Sequence, residues 1–326
     1  MGTDLTTKAA RRWAPSRVLP AVAGDHRAAA QAFAKKSKAS ETLRGYDADW
    51  TAFKAFCAAH GHPSLPAPPA AVAEFLASEQ ARGCKAATLT RRLASIRYRH
   101  RLNGHPSPTD DEVVRAVLAG IKREIGSEQI PKAAATADLI GAMLATCPDT
   151  LTGKRDRALI ALGFAGAFRR SELVALEVAD LTETADGLRV IVRKSKTDAT
   201  GQGQEVAILR GRRLRPVEAV ATWLAAAGIT EGPIFRQINK SGRVLPGALT
   251  GESAATAVKR AAARAGLDPA AFAGHSLRRG FLTSAAKAGA SIFKMMDVSR
   301  HKSVETLRRY VKDADAFNNH AGENFL

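Results

Sequence analysis

Regular spacing of hydrophobic residues begins near Ser40 and continues through four segments of the first half of the chain. In the first segment, apolar side chains recur at alternating steps of three and four residues, at Leu43, Tyr46, Trp50, Phe53 and Cys57. This spacing predicts one apolar stripe on a helix that stops by Gly61. Residues 70–82, 86–102 and 110–125 predict three more helices, the last with Val113, Val114, Val117, Leu118 and Ile121 directed inward. The first half is therefore predicted to be a four-helix unit.

The second half begins with helical spacing and then changes period. Residues 137–146 and 155–166 predict helices, whereas 188–193 and 205–209 are short runs rich in Val and Ile that are typical of strands. The polar, Gly-containing stretch KSKTDATGQG between these runs predicts a hairpin with a long tip. After it we expect only helices, at residues 252–265, 276–288, 291–300 and 303–312. The predicted fold class is mostly α with a small β-hairpin.

Two breaks in these patterns divide the chain. Residues 1–38 are rich in Ala, Thr, Lys and Arg without sustained apolar periodicity, which predicts a mostly disordered basic arm. From Gly126 to Thr136 the helical pattern stops and Pro131 intervenes, which indicates a linker. We therefore expect a helical domain at 39–126, a linker at 127–136 and a second domain at 137–326.

The charge of the chain indicates the kind of partner. Lys and Arg number 49 against 31 Asp and Glu, which leaves a formal net charge of +18. A long polyanion is the simplest partner for such an excess, with an anionic membrane surface as the weaker alternative. The longest apolar stretch, 158–168, is too short to span a bilayer and predicts a buried helix. The three cysteines have no metal-ligand or disulfide spacing, so we expect a cytoplasmic protein without a metal site.

The segment GHSLRRG contains the most informative chemistry. It places His275 beside the N-terminus of a predicted helix and Arg278 one turn into that helix, so both side chains can face one anion. Free backbone N–H groups and the partial positive charge of a helix N-terminus suit a phosphate oxygen. Taken alone, the same segment also fits a solvated helix start with a chance pair of arginines.

Downstream, the segment SRHKSVETLRRY contains His301 and, nine residues later, Tyr310. Ser303 is a candidate N-cap, and Val304, Leu307 and Val311 form the predicted apolar face of the helix it begins. Tyr310 lies at the edge of that face, where it is either an ordinary core tyrosine or a nucleophile. The other two of the three tyrosines lie in the first domain, so Tyr310 is the only candidate nucleophile of this type in the second.

Upstream, the segment AFRRSELVAL places Arg169 in a turn between two helices, with Glu172 one turn on and able to orient it. An alternative is a helix start capped by Ser171, and the two interpretations are compatible. Lys196 lies in the predicted hairpin tip, two residues after Lys194. A basic loop is usually only solvated, so this position by itself says little.

The ordered series Arg169, Lys196, His275, Arg278, His301 and Tyr310 resembles the active-site signature of the tyrosine recombinase (phage integrase) family, in particular its Cre-like members. The resemblance covers about residue 40 to the C-terminus. It implies a helical core-binding (SAM-like) DNA-binding domain at 39–126 and a catalytic domain at 137–326. It also implies a site-specific DNA recombinase that acts through a 3′-phosphotyrosyl intermediate without metal, ATP or other cofactor, with these six residues as the catalytic set and Glu172 supporting.

The chemistry of the residue types agrees with those roles. Negative charge grows on the phosphate oxygens during attack, and Arg169 and Arg278 supply fixed positive charges to hold it. A phenol has an unperturbed pKa near ~10, so Tyr310 must lose its proton, with His275 as the expected acceptor or relay. A lysine at the hairpin tip can protonate the leaving 5′ oxygen.

Further DNA contacts are expected in the first domain. Between Arg82 and Arg101 there are seven Lys or Arg and no acidic residue. On the predicted helix, Leu89, Leu93 and Ile96 face inward while polar residues occupy neighbouring faces. The helix is either a solvated basic helix or a groove-binding one. The candidate DNA-binding residues are Lys85, Thr88, Arg91, Arg92, Ser95 and Arg99.

Two other functions stay open at the level of sequence: a topoisomerase of type IB, which uses similar residues to relax DNA, and a DNA-binding relative without activity. The expected partners are double-stranded DNA with an inverted-repeat site and further copies of this chain, up to a tetramer in the synapse. The tail, residues 313–326, ends in Phe325 and Leu326 and docks either on its own domain or on a neighbouring copy.

Overall fold

A computed structural model describes residues 26, 38–126, 132–193 and 203–314 of the chain. The chain divides into two compact units, Met1–Gln129 and Ile130–Leu326. Three parts of the sequence predictions lie outside the described residues: most of the basic arm, the hairpin tip with Lys194 and Lys196, and the tail from residue 315 onward.

Within residues 38–126 the first unit has four α-helices and a short 3-10 turn. The helices are α1 (Ser40–Ala59), α2 (Pro69–Ala81), α3 (Ala86–Leu102) and α4 (Glu112–Ile125), and the turn is Pro108–Asp110. Their apolar stripes meet in a core that contains Phe53, Phe75, Leu89, Ile96 and Val114. The 3.6-residue period of the sequence thus predicted which faces would meet.

The inward position predicted for Val113 is wrong, because this side chain is exposed while Val114 is fully buried. Asp111 caps α4 by accepting a hydrogen bond from the backbone N–H of Val113, which places Val113 in the exposed first turn. The inward row of α4 therefore consists of Val114, Val117, Leu118 and Ile121.

The second unit is mostly helical with two small antiparallel sheets. Its described elements are α5 (Ala137–Ala145), α6 (Leu151–Ala165), α7 (Arg170–Val174), β1 (Leu181–Glu183), β2 (Gly187–Val192), β3 (Gln204–Leu209), α8 (Pro216–Ala227), β4 (Arg236–Ile238), β5 (Val244–Ala248), α9 (Gly251–Arg264), α10 (His275–Lys287), α11 (Ile292–Ser299) and α12 (Val304–Ala314). The sheets have the strand orders β1-β2-β3 and β4-β5. The fold class and the helices that were predicted agree with the structure, with ends shifted by a few residues, whereas helix α8 was not predicted.

The sheets are larger than the sequence indicated. The predicted hairpin gains β1 as a third strand, and the expectation of helices alone after it is wrong because β4 and β5 pair there. Both omissions have a local cause. β1 and β4 are only three residues long, and β5 contains a proline and a glycine. None of the three strands therefore shows the alternation of apolar and polar residues by which a strand is recognised.

The core of the second unit surrounds α6, whose Leu159, Ile160 and Leu162 are fully buried. Val190 of β2 and its register partner Val206 of β3 close one side of this core, and Trp223 of α8 is also fully buried in it. No helix among the described residues is long and apolar enough to cross a membrane.

The predicted linker extends too far. Ala135 is fully buried, and its backbone N–H donates to the carbonyl oxygen of Ser276 at 3.1 Å. A Cβ atom on Gly280 would lie 1.8 Å from the carbonyl oxygen of Ala135, so α10 needs a glycine where this segment crosses it. Residues 132–136 are therefore part of the second unit, and the stretch 127–131 lies outside the described residues.

Candidate active site

Arg169 stands at the end of a tight turn that follows α6. Ala167 within this turn has a positive φ of 45°, and the Phe168 ring folds back so closely that a Cβ on Gly166 would meet it at 2.2 Å. Arg169 is the N-cap residue of α7, so the alternative in which Ser171 caps the helix is wrong. Glu172, one turn on, accepts from the backbone N–H of Arg169 at 2.9 Å and from its Nη1 at 2.6 Å.

His275 is the first residue of α10, and Arg278 follows one turn later. Arg278 is 1% exposed, and its Nη1 donates to the carbonyl oxygen of Ala167 at 2.7 Å. Its Nη2 lies 3.2 Å from both ring nitrogens of His301. Arg278 therefore connects the turn before Arg169 with the segment that leads to Tyr310.

Solvent reaches the His275 ring, yet its pKa lies below the ordinary value for histidine. Partial burial is the largest cause, followed by the positive charges of Arg278, Arg169 and Arg279. His275 is therefore neutral at neutral pH, the form in which an imidazole can accept a proton.

His301 follows α11 and is half-buried. Burial, then the charges of Arg278 and Arg169, lower its pKa to about 4. The Ser299 hydroxyl donates to the carbonyl oxygen of Met295 at 2.6 Å and lies 2.8 Å from His301 Nδ1. Because that hydroxyl has only one proton, His301 Nδ1–H donates to Ser299, which leaves Nε2 as an acceptor toward Arg278.

Tyr310 is partly buried on α12 and packs against a cluster that contains Leu282, Met295 and Leu307. Its ionised form would raise the pKa of Arg278, which shows that phenol and guanidinium are electrostatic neighbours. Val304 was predicted on the apolar face of this helix but is exposed, because it lies in the first turn. Leu307 is fully buried and Val311 partly so.

The site has an excess of positive charge. Arg169 and Arg300 both pair with the carboxylate of Glu172, and burial followed by Arg169 and Arg300 lowers the pKa of Arg278 to about 9. At neutral pH Arg278 is therefore still charged. Among the described residues, these three arginines accompany one carboxylate, and this excess of positive charge favours an anion such as a phosphodiester.

The structure thus brings together Arg169, Glu172, His275, Arg278, His301 and Tyr310 from four separate segments of the second unit. Lys196 lies outside the described residues, so its place is not part of this geometry. Among the described residues, no group of three His, Cys, Asp or Glu side chains is arranged to hold a metal ion.

Sequence reasoning missed Arg300, a buried arginine between Ser299 and His301. Its Nη2 donates to Glu172 Oε2 at 2.8 Å. The only local signal is its position directly before His301, at the end of the predicted helix 291–300. Nothing in the periodicity of that stretch distinguishes it from an exposed loop arginine.

The candidate DNA-binding helix α3 has a role that the sequence did not indicate. Arg91 donates to both carboxylate oxygens of Asp49 on α1, at 2.8 and 3.0 Å. Arg92 is paired with Asp49 and with Glu79 of α2, and Arg99 with Asp47 of α1. These arginines join the helices of the first unit, whereas Lys85 is exposed and Thr88 half-buried.

The prediction that Ser95 contacts DNA is wrong. Ser95 is fully buried, and its hydroxyl donates to the carbonyl oxygen of Tyr46 at 2.7 Å. It lies on the face of α3 that packs against α1, where a groove or a phosphate has no access. The helical period placed it beside Arg92, but the width of the buried face was decided by the packing of the two helices.

Comparison with known proteins connects this site to a family. Residues 134–316 match the model of the phage integrase family. The chain is 40% identical over 294 residues to the integrase/recombinase xerD homolog of Selenomonas ruminantium. The aligned residues cover 88% of this chain and 86% of that protein. It is 26% identical to the recombinase Cre of Escherichia phage P1, over 80% of this chain and 81% of that protein.

Solved structures share the fold at low sequence identity. A lambda integrase dimer bound to a COC′ core site matches with a TM-score of 0.60 and 18% identity, over 88% of this chain and 76% of that one. The XerH recombinase bound to palindromic difH in a post-cleavage complex matches with a TM-score of 0.53 and 17% identity, over 76% of this chain and 70% of that one.

Proposed function

Because the chain belongs to the phage integrase family and is a tyrosine-type site-specific recombinase, we propose that Tyr310 attacks a DNA phosphate and forms a 3′-phosphotyrosyl bond. The observation that carries this proposal is that Tyr310 packs against a cluster containing Leu282 of α10, the helix that also carries the buried Arg278. Arg278 in turn hydrogen-bonds His301, and Arg300 pairs with Glu172. A core tyrosine without a chemical role would not need two buried arginines nearby.

Arg169 and Arg278 hold the scissile phosphate in this scheme. Their guanidinium groups stay charged at any physiological pH and have donors in a planar fork that fits two oxygens of one phosphate. Charge accumulates on those oxygens in the transition state, and preorganised donors stabilise it more than they stabilise the ground state. Glu172 orients Arg169 for this task, and His301 holds the outer nitrogen of Arg278.

The proton of Tyr310 passes to His275, which is neutral because its pKa is lowered. The 5′ oxygen leaves as the Tyr310 oxygen bonds to phosphorus, and it takes a proton that we assign to Lys196. The phosphotyrosyl bond keeps the energy of the broken linkage, so a second 5′-hydroxyl can attack the phosphorus and release Tyr310. Atoms and charges balance without ATP or a metal ion, and we propose none as cofactor.

The partner that we propose is double-stranded DNA with inverted repeats, bound by more than one copy of the chain. The neighbours described above include a dimer on a core site and a complex on a palindromic substrate. We further propose that exposed basic residues of α3, with Lys85 the foremost, contact its phosphates, and that residues 39–126 and 137–326 act as the DNA-binding and catalytic domains.

The replacement Tyr310→Phe tests the nucleophile. We expect nearly parental DNA binding and no covalent adduct, because the variant loses only the attacking oxygen. The probe is a nicked suicide duplex that contains the inverted repeat found beside the gene, and the readout is an adduct that survives denaturation. Tyr98→Phe is the matched control, since Tyr98 packs on Tyr46 in the first unit and should leave the adduct unchanged.

Three outcomes would contradict this assignment. An adduct with Tyr310→Phe would mean that another residue is the nucleophile. No adduct with the parent chain would indicate a DNA-binding relative without activity. Relaxed circles without recombinant junctions, from plasmids with paired sites, would indicate a topoisomerase.

A further inference from the structure

Arg300 occupies an unusual backbone position for an arginine. Its φ and ψ of 58° and 38° lie in the left-handed region, which residues with a side chain seldom adopt. The side chain is 2% exposed, although arginine is rarely buried so completely. Both features carry a cost, so the contacts of the side chain must offset it.

Arg300 Nη1 donates to the carbonyl oxygen of Val298 in its own segment at 2.7 Å, and further contacts reach the turn that presents Arg169. Arg300 Nη1 donates to the carbonyl oxygen of Gly166 at 3.1 Å, and Nη2 lies 3.4 Å from the carbonyl oxygen of Ala167. The guanidinium carbon is 5.0 Å from the centre of the Phe168 ring. Arg278 donates to the same Ala167 carbonyl, so two arginines from different segments hold one strained turn.

The second target of Arg300 is Glu172. Its Oε2 accepts from Arg300 Nη2 at 2.8 Å and from the backbone N–H of Arg169 at 2.9 Å, while Oε1 accepts from Arg169 Nη1. Burial by itself raises the pKa of Glu172, but Arg300 and then Arg169 lower it below the ordinary value. The charge of Arg300, together with the charge and hydrogen bonds of Arg169, therefore favours the ionised state of the carboxylate that orients Arg169.

We propose that Arg300 is a positioning residue of the recombinase: it holds Glu172 and the 166–169 turn so that Arg169 and Arg278 meet the same phosphate. The inference rests on the proposed function, since it concerns cleavage of DNA at Tyr310. Arg300 does not itself contact the phosphate. Arg300 directly precedes His301. One short segment therefore contributes His301 to the site and also holds the 166–169 turn through Arg300.

The test compares single-turnover cleavage of the nicked suicide duplex by the parent chain and by Arg300→Met and Arg300→Lys. Both replacements keep an unbranched side chain at the left-handed position, so they share its backbone cost. For Arg300→Met we expect cleavage at neutral pH to fall about 100-fold, because a small misplacement of catalytic groups costs that much. The dissociation constant for DNA should change less than about threefold, since phosphate contacts elsewhere dominate affinity.

The dependence of cleavage on pH separates positioning from a purely structural role. Without Arg300 the pKa of Glu172 rises, so cleavage by Arg300→Met should fall further as the pH is lowered through the new Glu172 pKa. Adding Glu172→Gln should remove this acidic limb, because no carboxylate then titrates. Arg300→Lys keeps a positive charge beside Glu172. It should recover part of the cleavage rate and should not show the additional fall in rate at acidic pH.

Arg155→Met is the matched control. Arg155 is also buried, donates to Asp156 at 2.9 Å and to the Arg236 carbonyl at 3.3 Å, and lies in the same unit without contact to the site. We expect it to lower thermal stability but to leave the shape of the pH profile unchanged. If Arg300→Met does not fold, Arg300→Gln takes its place.

Two results would overturn the inference. The first is a pH profile of Arg300→Met parallel to the parent's, with a rate loss no larger than that of Arg155→Met at equal stability. The second is a cleavage rate of Arg300→Lys no higher than that of Arg300→Met. Failure of the parent chain itself to form an adduct would instead contradict the proposed function, so the two failures are distinguishable.

Discussion

Two arginines of the candidate site are charged although they are buried. Arg278 and Arg300 are almost fully buried, and a buried charge is costly unless it is paired and hydrogen-bonded. The carbonyl oxygens of Gly166 and Ala167 and the carboxylate of Glu172 offset this cost. Burial, followed by the positive charges of Arg278 and Arg169, lowers the pKa of both His275 and His301, so the arginines that favour an anion also help to keep these histidines neutral.

The protonation of His301 has a measurable consequence for stability. Its pKa of about 4 in the folded chain lies below the value of about 6.5 expected when unfolded. The unfolded chain therefore takes up the proton first as the pH falls. The contribution of neutral His301 to stability is complete above pH ~6.5 and is lost progressively as the pH falls toward ~4.

We expect this loss to be about 1–3 kcal/mol, the lower part of the range reflecting solvent access to the half-buried ring. In His301→Gln the loss should be absent, because glutamine does not titrate. Urea unfolding of both proteins without DNA, at a series of pH values between 7.5 and 4.5, measures the difference in slope. Identical slopes for the two proteins would show that His301 does not titrate in this way.

At the scale of secondary structure, helix α3 illustrates how one basic surface divides into two roles. Arg91, Arg92 and Arg99 are joined to carboxylates of α1 and α2, while Lys85 at the helix start is exposed. Asp49 and Glu79 are themselves buried, so they depend on these arginines for their charge balance. The ion pairs therefore fix the packing of three helices.

This division predicts opposite effects for two replacements on one helix. Arg92→Ala should lower the free energy of unfolding by about 2–4 kcal/mol, because it removes a partner from two buried carboxylates. Lys85→Ala should change it by less than about 0.5 kcal/mol but make the salt dependence of DNA binding shallower if Lys85 meets a phosphate. Urea unfolding and DNA titrations at several salt concentrations measure both. A stable Arg92→Ala with a shallower salt dependence would assign Arg92 to DNA instead.

At the scale of the whole molecule, the proposed function involves several copies of the chain on two DNA segments. We propose that the tail beyond α12, which lies outside the described residues, docks on a neighbouring copy. In a closed ring, an interface of this kind would couple the tyrosines of adjacent copies. Docking on its own catalytic domain is the competing possibility.

Deletion of residues 316–326 tests this assembly role. We expect binding to a single site to be retained, because α12 and the catalytic cluster remain, while pairing of two sites and recombination fall sharply. Gel shifts with one-site and two-site DNA beside a recombination assay supply the measurement. Normal recombination by the shortened chain would exclude an assembly role for the tail.

Local spacing in the sequence determined much of this protein. It predicted a helix at 276–288, which the structure begins one residue earlier at His275, and the turn at Arg169 followed by Glu172 three residues later. Such features depend on residues that are neighbours along the chain, so the period of a helix and the chemistry of its start are enough to predict them.

Only the tertiary structure decided which distant residues meet. Arg300 and Glu172 are 128 residues apart in sequence, and Arg278 and Ala167 are separated by 111. The burial of Ala135 and Ser95 and the pairing of the short strands β4 and β5 are likewise set by packing between elements. A hydrophobic pattern specifies the face of a helix that is covered but not the element that covers it, because that choice minimises the free energy of the whole chain.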